Sequence, residues 1–211
     1  MDREVVTGLD EAAILGYFES LRGVFLTKWV VLAALTRDRN GRHILDPHVL
    51  PASAIDEAEA AFPDPLFYRA FRQGNAELHT NFLEDMGTAL VTSAWNIFEL
   101  VTKHLMRPDY VLQTGDMSVC YQNARFQFTT REKKDLELFY TIRNALHHFN
   151  GAYYAGKSID HRYAGTDFVS AGREGEKMPM NLGMAYAIAR DLERYTLKAW
   201  SCSHLPRPAK S

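Results

Sequence analysis

From about Asp10 to Leu35, apolar side chains recur at every third or fourth position: Ile14, Phe18, Leu21, Phe25, Trp29 and Leu32. This is the spacing of one helical face. Asp10 can accept from the first free backbone N–H groups and serve as the N-cap. The charged RDRNGR stretch, then Pro47 and Pro51, break the pattern. A short helix is predicted from Ser53 to Phe62, and Leu66 to Gln73 can add further turns. A second long stripe spans about Asn81 to Met106, carried by Leu83, Met86, Leu90, Ala94, Phe98, Val101 and Leu105, with Pro108 ending it. Asp109 to Phe128 keeps no helical period and reads as a connection, with room for one short strand.

The third helix opens with Thr129-x-x-Glu132, a capping-box spacing. Its core side holds Leu138, Phe139, Ile142, Ala145, Leu146 and Phe149, and Gly151 supplies a stop. The next thirty residues mix glycine, tyrosine and charge. They offer at most a small hairpin, Arg162–Tyr163 against Phe168–Val169. A last helix runs from Asn181 to about Trp200, with Met184, Ile188, Leu192, Tyr195 and Ala199 on one face, and residues 201–211 read as a loose tail. The whole pattern predicts an all-α protein, an antiparallel bundle of four to five main helices with an irregular insertion or small hairpin before the last. Repeated strand signals, which an α/β fold needs, are absent.

Composition narrows the picture. The chain has 211 residues, 46% hydrophobic and 24% charged, enough for one ordinary domain spanning 1–211 with a real core. A net charge of −2 excludes a bulk electrostatic grip on nucleic acid, so RNA binding requires a local basic patch, and DNA is not an expected partner. Cys120 and Cys202 are the only cysteines and form neither a disulfide framework nor a metal spacing. The histidines show no ligand spacing, so neither metal nor cofactor is expected. The apolar run Val24 to Leu35 contains Thr27 and Lys28 and is too short to span a bilayer. The MDREVV start lacks the plan of a signal peptide. The expectation is a soluble cytoplasmic protein with no membrane partner.

The candidate chemistry lies in LFYTIRNALHHFNG, Leu138 to Gly151. On a helical wheel Arg143, His147, Tyr140, Asn144 and His148 fall in that order across the side opposite the core, over an arc of roughly 140°. Arg143 carries a permanent charge in a planar fork suited to phosphate oxygens. His148 can exchange a proton near neutral pH. Asn144 shares a face with His148, four residues on, and can orient it or hold a phosphate oxygen. Arginine followed by histidine is a cheap pattern. Arg42 followed by His48, in a proline-containing loop, is a second instance with no assigned role. Context favours Arg143: the adjacent asparagine, the helix and the FNG that follows. His147 and Tyr140 are supporting candidates. So is Glu99, on the preceding long helix, as a satisfied polar residue or a partner for Arg143.

RNALHH near the end of a late helix resembles the signature of the HEPN superfamily: arginine, four to six residues, then histidine, often with a polar residue after the arginine. Arg143, Asn144 and His148 match it. SAWNIFELVTKHL is similar to the family's earlier core helix, with Glu99 in the place of its common glutamate. The resemblance covers about Asn81 to Trp200. It implies an all-α bundle, frequent homodimers, and in many members metal-independent RNA cleavage. For many members it also implies toxin–antitoxin or anti-phage roles, with an antitoxin or other regulatory protein as partner. One subgroup carries a tyrosine two residues after the histidine, where this chain has Asn150. Two functions are therefore expected: an endoribonuclease, or a non-catalytic module that binds a nucleotide or a protein.

Overall fold

A computed structural model describes residues 9–35, 76–106, 118–156 and 158–204. Among them are five helices: α1 Glu11–Leu35, α2 Ala76–Leu105, α3 Ser118–Gln122, α4 Thr130–His148 and α5 Leu182–His204. A 3₁₀ turn, Ala124–Phe126, precedes α4, and a hairpin of β1 Asp160–Tyr163 and β2 Thr166–Val169 lies between α4 and α5. The fold is all-α, as the periodicity predicts. The helices expected over Ser53–Phe62 and Leu66–Gln73 lie outside the described residues, as does the Arg42–His48 pair.

Two details differ from the sequence reading. The described part of the Asp109–Phe128 connection, from Ser118 onward, is helical rather than extended. Asn123 caps the 3₁₀ turn there, its side chain accepting from the Arg125 N–H at 2.9 Å. The last helix continues four residues past Trp200, so Ser201–His204 are helical rather than loose tail.

The chain divides into two compact units, residues 20–86 and residues 1–19 with 87–211. The first is described over Ser20–Leu35 and Ala76–Met86, where Phe25 and Met86 are buried. The second holds the candidate chemistry, and its core follows the sequence stripes closely. Leu90, Ala94, Phe98, Val101 and Leu105 of α2 are buried, as are Met184, Ile188, Leu192, Tyr195 and Ala199 of α5.

Within this unit α4 packs antiparallel to both neighbours. Glu132 meets Lys198 and Asp135 meets Tyr195, so α4 ascends as α5 descends. Trp95 of α2 lies against Tyr140 while Phe98 lies against Phe128, before α4 begins. A Cβ on Gly87 would stand 3.5 Å from Ala185 Cβ, ordinary contact at a close approach of α2 to the start of α5. Arg125 satisfies carbonyls at two helix ends, donating to Leu105 at 2.8 Å and Ser203 at 3.5 Å. Helix C-termini leave such carbonyls unpaired, and a cation there also favours the dipole.

A hairpin forms where the sequence suggests one, but in a different register: His161 lies opposite Phe168 and Tyr163 opposite Thr166, so Phe168–Val169 face Asp160–His161 rather than Arg162–Tyr163. Ala164 and Gly165 make the turn at φ of 48° and 82°. Positive φ at both central residues matches the right-handed twist of a two-residue hairpin.

Candidate functional site

The site is built on α4 and its exit. Thr129 and Glu132 form the reciprocal capping box: the Glu132 N–H donates to Thr129 Oγ1 at 3.2 Å and the Thr129 N–H to Glu132 Oε2 at 2.7 Å. Lys198 of α5 donates to the same carboxylate oxygen at 2.6 Å. Burial alone would raise the pKa of Glu132. The hydrogen bonds from Lys198 and Thr129 outweigh it and hold the carboxyl below its ordinary value.

At the other end, the Ala145 carbonyl accepts from the N–H groups of both Phe149 and Gly151, each at 2.9 Å. The chain turns through left-handed backbone at Asn150 and Gly151, with φ of 50° and 74°. It then returns beside residues 175–178. Met178 N–H donates to Gly151 O at 2.8 Å, and Tyr153 N–H to Glu176 O at 2.9 Å.

On this frame Arg143 is half-buried, and its Nη1 donates to Asn144 Oδ1 at 2.9 Å. Its Nε is buried with no acceptor. Arg162, Arg173 and Arg194 each lie beside a carboxylate, Asp167, Glu176 and Asp191 respectively. Among the described residues no carboxylate pairs with Arg143. Its charge is held in place by an uncharged amide, and among these residues nothing neutralises it.

His147 and His148 are both exposed, with rings 4.5 Å apart at 64° and Nδ1 atoms separated by 3.4 Å. A hydrogen bond between two Nδ1 atoms needs one donor and one acceptor, so one ring carries no Nδ1 proton in this arrangement. The pair thus offers acid and base character on adjacent groups.

α4 remains regular through His148. Arg143 and His148 therefore point roughly 140° apart around its axis, and the helix does not loosen to bring them together. His147, one turn beyond Arg143, shares the arginine's face, and Asn144 shares that of His148.

The supporting candidates separate. Tyr140 is half-buried, its ring centroid 5.5 Å from that of Trp95. Glu99 pairs with Lys103 one turn along α2 rather than with Arg143. An i,i+4 partner on the same helix costs little ordering to reach. Phe149, expected on the core side, is 46% exposed and stacks on Tyr154, centroids 4.5 Å apart at 10°. It falls at the C-cap, where the chain has already left helical geometry, so the wheel no longer sets its direction.

Sequence reasoning missed a second polar cluster. Asp135 is 5% exposed, and its two oxygens meet His161 Nε2 at 2.6 Å and Tyr195 Oη at 2.7 Å. Tyr163 donates to Asp191 at 2.9 Å. Burial, then Asp191, push the Tyr163 phenol up strongly; burial, then Asp135, do the same to Tyr195. Asp135, Tyr163, Asp191 and Tyr195 line a cleft of about 500 Å³ together with Arg131, Glu132 and Arg194. One sequence signal was available, because Asp135 stands seven residues before Ile142 on the apolar stripe, at a position where a charge demands partners. Among the described residues no three His, Cys, Asp or Glu side chains group as metal ligands, and no helix is long and apolar enough to cross a membrane.

No family model, no curated protein and no solved structure matches this chain.

Proposed function

We propose that this chain is a metal-independent endoribonuclease of HEPN type, acting as a toxin or anti-phage effector. The observation that supports it is the half-buried Arg143: among the described residues no carboxylate neutralises it, Asn144 holds it, and it shares α4 with the exposed His147–His148 pair. A cation held by a neutral amide rather than a carboxylate is available to an anion, and an imidazole is the ordinary proton carrier near neutral pH.

In the reaction, one imidazole removes the proton from a ribose 2′-hydroxyl. The 2′-oxygen bonds to phosphorus, and the phosphorus–5′-oxygen bond breaks. A second imidazole returns a proton to the departing oxygen. The products are a 2′,3′-cyclic phosphate and a free 5′-hydroxyl. Arg143 stabilises charge on the pentavalent transition state, and Asn144 orients it. Acid and base must stand on opposite sides of the phosphorus. Two rings already in contact do not straddle it, so the second imidazole is assigned to His148 of another copy across a two-fold seam.

The test is cleavage of total RNA by wild type, His148→Ala and Arg143→Ala, with circular dichroism as the folding control. Activity should survive EDTA and require a 2′-hydroxyl. Each substitution should lower the rate roughly 10²-fold or more. Cleavage that persists in both variants would place the chemistry elsewhere. A second reading, a non-catalytic module binding a nucleotide or a protein, is favoured by the divergence of Arg143 and His148 within one chain. It would be preferred if wild type cleaves no RNA yet binds nucleotide in an Arg143-dependent way.

A further inference from the structure

The exit from α4 places a flat aromatic surface directly beside the histidines. Phe149 remains 46% exposed although Tyr154 covers one of its faces in a near-parallel stack. The His148 ring stands edge-on to it, with centroids 6.3 Å apart. Phe139, on the same helix, is completely buried, so the exposure of Phe149 is local to the site.

The stack is held from behind by backbone. Tyr154 follows Tyr153, whose N–H and carbonyl bond to Glu176 O and the Gly175 N–H, each at 2.9 Å. Tyr153 itself is buried, with the Arg173 guanidinium 5.4 Å from its ring centroid. The stack contributes some stability to the loop, yet it leaves Phe149 46% exposed beside His148. A recognition surface gains a rigid platform with little ordering cost on binding.

We propose that Phe149, backed by Tyr154, is the stacking platform for an unpaired nucleobase next to the phosphate handled at His148. This deepens the endoribonuclease reading and rests on it for the position of the phosphate. The substrate class that follows is single-stranded or looped RNA. In a duplex the base faces are already stacked and the base edges are paired, whereas a splayed base presents its whole face to an aromatic ring. A platform of this kind tolerates many sequences, because every base has a π-face.

The test uses the full chain and a fluorescent oligoribonucleotide with 2′-O-methyl groups throughout, which cannot be cleaved. Affinity is measured by anisotropy for the single strand and for the same sequence as a blunt duplex. Wild type should prefer the single strand. Phe149→Leu keeps an apolar side chain but removes the ring, and should weaken single-strand binding roughly tenfold. Phe149→Trp restores a flat face and should bind within a few-fold of wild type. Equal affinity of Phe149→Leu and wild type for the single strand, or a preference for duplex, overturns the proposal. So does a change in oligomeric state of Phe149→Leu, read by light scattering, that accounts for the lost binding, since the ring would then be a contact between copies. The two readings fail separately. Ring-dependent binding without cleavage of ordinary RNA removes the catalytic reading alone, and cleavage with ring-independent binding removes the platform alone.

Discussion

Asp135 of α4 and Tyr195 of α5 meet at 2.7 Å, the phenol donating to a carboxylate that is only 5% exposed. The other carboxylate oxygen lies 2.6 Å from His161 Nε2 on β1. One buried side chain therefore ties together two helices and the hairpin that the sequence inserts between them. Such a charge is tolerated inside only while its partners remain.

Removing one partner should accordingly be costly. Tyr195→Phe keeps the ring packed against Phe139 and Phe128 but takes away the hydroxyl. We expect a loss of roughly 1–3 kcal/mol in denaturant unfolding, the range for a hydrogen bond to a buried charge. Asp135→Ala, which strands both donors, should cost more. A neutral result for Tyr195→Phe would show that the carboxylate is solvated.

Glu132 gives a pH signature. Its pKa is depressed in the folded chain, so it contributes stability above the ordinary carboxylate range that is lost as pH falls through its folded value. The stability gap between wild type and Glu132→Gln should be full near neutral pH and close on acidification below about 4. Tyr195 and Tyr163 act in the opposite direction, since their pKa values are raised. Their contribution is complete below the ordinary tyrosine value, about 10, and fades as pH climbs beyond it. Unfolding titrations of wild type against Glu132→Gln and Tyr195→Phe measure both limbs.

Asn144 permits a nearly isosteric test of the unneutralised arginine. Asn144→Asp places a carboxylate where the amide now accepts from Arg143 at 2.9 Å. The new ion pair should occupy the guanidinium and repel phosphate, lowering RNA binding more than Asn144→Ala does. We expect the Asp variant to fall at least several-fold below the Ala variant, with folding unchanged by circular dichroism. The reverse order would mean that the Arg143 charge is not what an anion meets.

The assignment of a second imidazole to another copy requires a dimer. Light scattering at micromolar concentration should return twice the 24.0 kDa chain mass. Cross-linking through cysteines introduced at exposed positions flanking His148 should capture the pair. A monomer under these conditions, with RNA cleavage intact, would overturn the assignment of the second imidazole to another copy.

Local spacing along the chain sets the helices α2, α4 and α5, their buried stripes, the capping box at Thr129, the stop at Gly151 and the presence of a hairpin before α5, though not its register. These are local quantities: a 3.6-residue period, a hydroxyl three residues from an N–H, a turn needing positive φ. It also singled out Arg143, Asn144, His147 and His148, whose shared surface on α4 follows from helical spacing alone. Tertiary structure decided what those groups meet. Whether Glu99 pairs with Arg143 or with Lys103, and whether Arg143 keeps an unneutralised charge, depends on which side chains neighbouring elements bring within reach. The Asp135–Tyr195–His161 cluster joins residues 26 and 60 positions apart, and no local pattern carries such a distance. Phe149 shows the boundary between the two: its apolar character is written in the chain, but its exposure and its stack on Tyr154 exist only because the backbone leaves the helix at that residue and is hydrogen-bonded back on itself.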